Sequence, residues 1–407
     1  MKKTLLFILT SALFLALQAC EISDNEVKPT DPVTRIFETG DFERNYVPID
    51  IRQTPDGGYL MLASVALADS DFQGIYLFKA DKEGLVEWEH LADNYVNPVS
   101  ELLPDGSNGT LFRLVAMDKL QLGTHLLSVD VSGGASLTSV AYYPEMVYPL
   151  AAAQVGGGYA FLHWDQESKS SMKLTRLNGS TVQWSRSYDI YEDVEARIMA
   201  HLTRQTQPVV PFRTGTVTSG VFYFNGYNNF TLSLTFVDAN TGDQIGVLNG
   251  TRYASGIMQI APMAENKLAL ARYREDGSMV YAPAAPVDTR GTATARDLPG
   301  NALPELSPYA QVFIKKGSVD DQKIVLYAST TRNGRISLFA YDEGGTLLGT
   351  RYLGSGNRFE AGGVVFTDDG GLAVQGRTYV AGRFARLCLF KLSPDDLKEI
   401  AAGVSAQ

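Results

Sequence analysis

Side chains that perform acid–base, nucleophilic or metal chemistry are sparse in this chain of 407 residues, which holds four histidines and two cysteines. The histidines His90, His125, His163 and His201 show neither the H-x-x-x-H nor the H-E-x-x-H spacing of a zinc site. No G-x-S-x-G nucleophile motif and no phosphate-binding glycine loop is present. We therefore predict no catalytic residue, no metal and no cofactor. A carbohydrate-active enzyme stays as an alternative, because two carboxylates from distant segments need only lie about 5–10 Å apart.

Residues suited to binding are more numerous, and aromatic residues recur along the chain. Tyrosine offers a large contact area at a low cost in conformational entropy, which suits sugar rings and protein partners. The chain contains sequence repeats, and the connections between successive repeats are expected to lie on one face of the fold, the rim. We expect one aromatic residue of each repeat on this rim: Tyr46, Tyr95, Tyr148, Tyr191, Tyr253, Tyr309 and Phe359. A second set on the same rim comprises Phe72, Trp164, Tyr227, Phe230 and Tyr379. The alternative is that each aromatic residue packs into the interface beside its own repeat.

Two charged residues occupy equivalent positions in adjacent repeats. Arg52 and Glu101 both lie in segments that are expected to form the inner strand of their repeat. We expect them to face a central channel as a pair, where such polar residues hold either water or a ligand.

The N-terminus indicates export and lipid attachment. Lys2 and Lys3 precede an apolar run over residues 5–17, which is shorter than the roughly 20 apolar residues of a membrane-spanning helix. The run ends in Leu17-Gln18-Ala19-Cys20, which resembles the bacterial lipobox, whose cysteine is lipidated and becomes the mature N-terminus. We predict a signal peptide over residues 1–19, lipidation at Cys20 and a flexible tether within residues 20–32. The alternative is an ordinary secretory signal.

The body of the chain is a repeat. Residues 49–90 and 363–392 each contain an apolar run, a D-G-G turn, a second apolar run, a variable loop and a strand ending in L-F-K. Asp-Gly-Gly suits a tight hairpin, because glycine accepts the positive φ that such turns need. Weaker copies lie between these segments at a spacing of roughly 50 residues, in the range of four-stranded propeller blades. Seven such units account for residues 34–397.

The last unit lacks a fourth strand. Its third strand is followed by Ser393-Pro394-Asp395-Asp396, which has the serine, proline and acidic residues of a helix start. The sequence VTRIFET at residues 33–39 can supply the missing strand, and this pairing removes an open sheet edge. The predicted fold class is all-β: a single seven-bladed β-propeller over residues 33–397, closed by the N-terminal strand, with a C-terminal tail at 398–407. A sandwich of two or three β domains is the alternative.

The repeats resemble those of known propellers. The D-G-G-type units resemble the β-propeller repeats of secreted and lipid-anchored proteins from Bacteroidota. Strands with a turn glycine followed by tryptophan, as at Gly84 and Trp88, also resemble the repeats of quinoprotein-like propellers. That group includes the propeller lipoprotein of the outer-membrane barrel-assembly machinery. The resemblance implies fold and location more than activity, namely lipid anchoring in the outer membrane at the cell surface or on the periplasmic face.

Composition excludes other classes. A formal net charge of −10 speaks against nucleic-acid binding, and 45% hydrophobic residues speak against bulk disorder. The predicted function is a non-catalytic, monomeric outer-membrane lipoprotein that binds a glycan or an envelope protein through one propeller face, with the lipid as its sole membrane contact. The alternatives are a periplasm-facing scaffold of an envelope assembly or secretion machine, and the carbohydrate-active enzyme.

Replacing Cys20 by alanine should abolish lipid incorporation and release the protein from the membrane fraction, because the acceptor thiol is gone. Growth with labelled palmitate followed by isolation of the protein measures this directly. The variant Cys388→Ala, which removes the other cysteine, is the control and should keep its label. Label retained on Cys20→Ala would contradict the lipobox interpretation.

Overall fold

The structure is a computed structural model that covers most of the predicted repeat region. It describes residues 33–37, 44–99, 101–106, 108–167, 171–203, 210–251, 255–380 and 384–403. The chain divides into two units, Met1–Pro32 and Val33–Gln407, and the second unit contains all of the described residues. The predicted signal peptide, Cys20 and tether lie outside the described residues. Among those described, no helix has the length and apolar character needed to cross a bilayer.

Strands dominate the first half of the described chain, and neighbouring strands within each sheet pair antiparallel. The first sheet contains β2 (Tyr46–Gln53), β3 (Tyr59–Leu67), β4 (Ser70–Ala80), β5 (Val86–Val96), β6 (Leu103–Asp105), β7 (Leu111–Asp118), β8 (Thr124–Asp130) and β9 (Ser136–Tyr143). The next sheet contains β10 (Pro149–Val155), β11 (Gly158–Asp165), β12 (Ser171–Asn178) and β13 (Thr181–Asp189), and is followed by helix α1 (Glu195–Leu202).

The second half continues the pattern with one irregular region. One sheet contains β14 (Arg213–Thr218), β15 (Val221–Asn228), β16 (Thr231–Asp238) and β17 (Gln244–Asn249). The next contains β18 (Gly256–Pro262), β19 (Lys267–Tyr273), β20 (Met279–Pro286) and β22 (Asn301–Leu303). The third contains β23 (Phe313–Val319), β24 (Gln322–Thr330), β25 (Ile336–Asp342) and β26 (Leu347–Leu353). The short strand β21 (Thr292–Thr294) adds in parallel to β17, and a 3₁₀ turn, Ala295–Asp297, separates it from β22.

The last sheet joins the two ends of the repeat region. It contains β27 (Phe359–Phe366), β28 (Leu372–Val380), β29 (Phe384–Leu392) and, paired antiparallel with β29, the N-terminal strand β1 (Val33–Ile36). The inner strands β2 and β27 also contact each other, so the first and last sheets are neighbours. Successive four-stranded meanders closed in this way form a β-propeller.

The C-terminal helix begins where the sequence predicts it. Helix α2 (Pro394–Ala401) is capped by Ser393, whose side chain accepts the N–H of Asp396 while the Asp396 carboxylate accepts the N–H of Ser393. The helix continues past residue 397, and Leu397 and Ile400 are buried against the last sheets. The end of the chain therefore contributes to the propeller core.

Each sheet is covered on both faces by its neighbours. Strand β3 is buried along residues 59–65, and its alternate side chains belong to two different hydrophobic clusters. Met61 packs with Leu389 of the last sheet, whereas Leu62 packs in a cluster with Leu114 on β7. This two-sided burial explains why the strands read as continuous apolar runs and not as alternating ones.

The structure of the D-G-G turn requires glycine at both of its glycine positions. Gly57 has φ +81, and the equivalent Gly370 has φ +84, a region that L side chains rarely adopt. A Cβ on Gly58 would lie 2.4 Å from the carbonyl oxygen of Ala80, and one on Gly371 would lie 2.4 Å from that of Leu392. The first glycine turns the chain, and the second lets it pass close to the third strand.

The aspartate of this turn is paired with the lysine that ends the L-F-K strand. Lys79 Nζ lies 2.8 Å from Asp56 Oδ2, and Lys391 Nζ lies 3.0 Å from Asp369 Oδ2. The Lys79 side chain is fully buried and also contacts Glu87 Oε2 at 2.6 Å. A buried ammonium needs such partners, so the two sequence signals that define the repeat form one interaction.

This pair predicts a pH-dependent contribution to stability. Burial raises the pKa of Asp56, but hydrogen bonds from Lys79, Thr54 and the Gly58 N–H outweigh burial and lower it from 3.8 to about 2. A depressed carboxyl pKa stabilises the fold above the unfolded value, and this stabilisation is lost as the pH falls towards the folded value. Asp56→Asn should reduce the free energy of unfolding by about 1–3 kcal/mol at pH 7.

Urea unfolding of the parent and of Asp56→Asn at several pH values measures this contribution. The difference between the two proteins should shrink as the pH falls from 3.8 to about 2. Asp71→Asn, at an exposed position, is the control. A difference that stays constant over this pH interval would contradict the role of the ion pair.

Candidate functional site

A cluster of charged side chains lies at one end of the inner strands. The channel cluster consists of Asp50 and Arg52 on β2, Glu101 before β6, Arg213 on β14 and Lys315 on β23. Arg52 Nη2 lies 2.9 Å from Glu101 Oε2 and Arg52 Nε lies 2.8 Å from Asp50 Oδ2. Lys315 Nζ lies 3.0 Å from the same Glu101 oxygen. The structure thus brings together the two residues paired from the sequence and adds three more that sequence reasoning missed.

The two carboxyl groups of the channel cluster differ in their electrostatics. Lys315 holds the pKa of Glu101 far below its usual range, with Arg52 acting in the same direction against the effect of burial. Burial raises the pKa of Asp50 although Arg52 lies beside it. The Asp50 Oδ2 atom also accepts the N–H of Leu102 at 2.9 Å. The surroundings therefore favour the ionised form of Glu101 more strongly than that of Asp50.

A cavity of about 340 Å³ lies beside the channel cluster. Its walls come from the inner strands β2, β10, β14, β18 and β23 and from helix α1. Apolar residues such as Leu150, Phe212, Met258 and Phe313 line it together with Glu101, Arg213 and Lys315. An apolar cavity of this size with a few convergent polar groups has the features of a small-molecule site.

The predicted rim aromatics do not form an exposed ring. Tyr46, Tyr148 and Phe359 are 2%, 6% and 3% exposed, Tyr95 and Tyr309 are half-buried, Tyr191 is 58% exposed and Tyr253 lies outside the described residues. In the second set, Trp164 and Tyr227 are buried, Phe72 and Tyr379 are half-buried and Phe230 is exposed. The interpretation of five of these residues as exposed binding residues is corrected, because they are packing residues: Tyr46, Tyr148, Phe359, Trp164 and Tyr227.

The backbone explains why an aromatic residue recurs at this position. The N–H of Tyr148 donates to Leu122 O, that of Tyr309 to Gly277 O and that of Phe359 to Gly334 O. Each of these rim residues is therefore tied by its backbone to a nearby loop of the propeller. The Tyr309 ring covers Gly277, where a Cβ would lie 2.7 Å from its Cε2 atom. At these sites, the aromatic ring fills the space above the loop.

Tyr191 and Phe230 depart from this rule and form an aromatic platform. Their rings stack with centroids 5.4 Å apart and an interplanar angle of 25°, and they are 58% and 47% exposed. Both residues have positive φ, as does Asn229, and bulky side chains seldom adopt this conformation. The N–H of Phe230 donates to Ile190 O at 2.9 Å, and that of Asn229 to Asp189 O at 3.1 Å. Backbone strain held in place by such bonds is common at functional sites.

A shallow cleft of about 270 Å³ lies beside Tyr191. Its polar lining includes Asp189, Asn228, Asp243 and Gln244. The Asn228 Nδ2 group donates to Gln244 Oε1 at 3.0 Å, whereas the carboxylates of Asp189 and Asp243 are exposed. The residues Asn228-Asn229-Phe230 in a predicted loop are the sequence signal that could have identified this cleft.

The described part of the chain places the possible metal ligands and the histidine His163 as follows. No group of three or more histidine, cysteine, aspartate or glutamate side chains is arranged there to hold a metal ion. His163 is buried, and burial lowers the pKa of its imidazole to about 4. It contacts Thr175 Oγ1 at 3.2 Å within its own sheet.

Fold and sites together define an all-β propeller with a charged channel end and an aromatic rim platform. No protein-family model and no curated protein matches the chain. The chain is similar to the BP39L lectin from Burkholderia pseudomallei, with 9% identity, a TM-score of 0.52 and coverage of 89% of this chain and 97% of the lectin. At this identity, the likeness concerns the fold alone.

Two further solved structures are similar. The β-propeller domain of the Trilobed protease from Pyrococcus furiosus shares 8% identity, with a TM-score of 0.46 and coverage of 88% of this chain and 98% of that domain. Sqt1 from Chaetomium thermophilum shares 14% identity, with a TM-score of 0.48 and coverage of 86% of this chain and 96% of Sqt1.

Replacing Tyr148 or Tyr191, which occupy equivalent positions in two repeats, should lower the free energy of unfolding by different amounts. Tyr148→Ala removes a buried ring packed 5.6 Å from the Trp164 ring, and should cost about 3–5 kcal/mol. Tyr191→Ala loses the contact with Phe230 and should cost about 1 kcal/mol or less. Both residues have positive φ, so backbone effects of the substitution are matched. Denaturant unfolding measures the two costs, and similar costs would contradict the assigned burial.

Proposed function

We propose that this protein is a lipid-anchored glycan-binding protein of the outer membrane, built on a seven-bladed β-propeller and without catalytic activity. The observation that carries the binding role is the exposed stack of Tyr191 and Phe230 beside a polar cleft. Its location, at the cell surface or on the periplasmic face, rests on the lipobox at Cys20 and on the resemblance of the repeats.

The weakest link in the eight-stranded sheet supports the blade number. Strands β5 and β7 are joined by two residue pairs, Tyr95 with Asp118 and Val96 with Met117. By comparison, β7 and β8 are joined along seven pairs from Leu111 to Met117. Dividing the sheet at the β5–β7 link produces two four-stranded groups, and the described strands then form seven groups around the ring.

The chemistry of the platform suits a sugar. An aromatic ring supplies a flat apolar surface, and a small number of placed polar groups sets the orientation of a ligand. Gln244 presents an exposed amide that is held in place by the buried Asn228, while the exposed carboxylates of Asp189 and Asp243 accept, and these groups match the hydroxyl groups around a sugar ring. The rigid, strained backbone at Tyr191 presents this surface without ordering a loop on binding.

Charge supports attachment through the lipid alone. Removal of residues 1–19 takes away Lys2 and Lys3 and no acidic residue, so the formal charge changes from −10 to about −12. An acidic protein is repelled by anionic head groups and by nucleic acid. The membrane contact in this proposal is therefore the acylated Cys20, and the propeller faces its ligand as a monomer.

Loss of the platform should weaken glycan binding. A panel of polysaccharides and oligosaccharides, assayed for binding and for cleavage with the purified protein, identifies the ligand. Tyr191→Ala and Phe230→Ala should each weaken that ligand at least tenfold, about 1.4 kcal/mol. Leu85→Ala removes an apolar side chain that is also 58% exposed and is the matched control.

Three results would count against the proposal. Binding unchanged in both platform variants would place the glycan elsewhere. An empty panel together with cross-linking to a membrane protein would favour the envelope scaffold. Cleavage of any glycan in the panel would favour the enzyme alternative.

A further inference from the structure

We propose that the channel cavity is a second binding site, separate from the aromatic platform, and that it takes a small organic monoanion whose charged group meets Arg213. Its ligand class is a carboxylate on an apolar body of modest size. The proposal stands on the charge count of the channel cluster, on the state of the Arg213 guanidinium and on the shape and lining of the cavity.

The channel cluster has one more cation than it has carboxylates. Asp50 and Glu101 supply at most two negative charges, and Arg52, Arg213 and Lys315 supply three positive charges. Arg52 contacts both carboxylates, and Lys315 contacts Glu101 at 3.0 Å. The surplus positive charge therefore belongs to Arg213.

Arg213 has no carboxylate within salt-bridge distance among the described residues, and its interaction with Glu101 is a longer-range one. Its Nη1 group donates to the carbonyl oxygen of Phe212 at 3.1 Å, which is a neutral acceptor. Its Nε atom is buried and has no hydrogen-bond partner in the described part of the chain. A guanidinium has five donors in a planar fork that matches a carboxylate, so an anion at this point satisfies donors that the protein leaves unpaired.

A neutral hydroxyl group lies near this guanidinium. Tyr223 lines the cavity and is 8% exposed, and burial followed by the charge of Glu101 raises its phenol pKa well above the usual range. The phenol therefore keeps its proton and is able to donate to an anion. A Cβ on the neighbouring Gly215 would lie 2.9 Å from the Tyr223 ring, so the glycine allows this ring to occupy its place.

Apolar residues form much of the remaining walls, beside the polar His201, Gln259 and Gln311, and they favour an organic ligand over a simple inorganic ion. Pro48, Leu150, Phe212, Met258 and Phe313 contribute apolar surface. The volume of about 340 Å³ lies in the range of small-molecule sites, which begin near 300 Å³. An apolar body in this space buries hydrophobic surface while its charged group pairs with Arg213.

Isosteric probes separate charge from shape. Benzoate and hexanoate carry the anion, and benzamide and hexanamide have nearly the same size without the charge. Titration calorimetry or ligand-observed NMR with the full-length protein should show saturable binding of a carboxylate, at least tenfold tighter than that of its amide. Arg213→Gln should abolish this preference, whereas Arg213→Lys should retain part of it.

Controls distinguish this site from the proposed glycan site. Arg186→Gln removes a guanidinium that is about half exposed on β13 and should leave carboxylate binding unchanged. Tyr191→Ala should leave carboxylate binding unchanged, and Arg213→Gln should leave glycan binding unchanged. Thermal unfolding of each variant verifies that it is folded.

Several outcomes would overturn the proposal. Equal binding of carboxylates and amides would remove the role of charge, and binding unaffected by Arg213→Gln would remove the role of this residue. Absence of binding by both carboxylates would remove the site. Displacement of the bound carboxylate by a low concentration of chloride would show that the cavity is an inorganic-anion site.

Discussion

The ion pair between a lysine of the third strand and the aspartate of the D-G-G turn ties the strands together in the first and last repeats, where the ring closes. A fully buried ammonium such as that of Lys79 is costly unless it is paired, so the third strand must end where the turn between the first two strands can reach it. Gly57, with φ +81, and Gly58, which has no room for a Cβ, make this approach possible. The pair recurs at Lys391 and Asp369, next to the strand that closes the ring. Together these contacts set the register of the hairpins, and the register decides which residues the inner strands place at the channel.

Burial of the sheets on both faces has consequences for function. Because alternate residues of a strand such as β3 enter two different cores, little of the sheet surface is free to evolve binding residues. Exposed positions lie in the connections and along strands such as β9 and β13. The aromatic platform lies at connections, whereas the channel cluster lies mostly on the inner strands. The same repeat position can therefore serve packing at Tyr148 and present a ring to solvent at Tyr191.

Much of the fold follows from local patterns, but the accessibility of the site does not. Turn chemistry predicted the hairpins, the unpaired edge predicted the pairing of β1 with β29, and capping residues predicted the start of helix α2. Between β20 and β22, no local pattern predicted that the short strand β21 pairs in parallel with the neighbouring sheet. Equivalence between repeats suggested Arg52 and Glu101, whereas Lys315 comes from a repeat more than 200 residues away and had no local signal. The aromatic rim was misjudged at five positions because spacing does not report whether a ring points into a core.

The sequence by itself determined the repeat, its turns and the all-β character of the chain, because these depend on properties of single residues and near neighbours: positive φ at glycine, helix capping and apolar runs. Only the tertiary structure decided which side chains meet. The ion pairs of the channel cluster join strands from different sheets, and the exposure of Tyr191 depends on its stacking against Phe230 from another strand connection. Such contacts depend on how the ring closes and packs, which is a collective property of all its sheets.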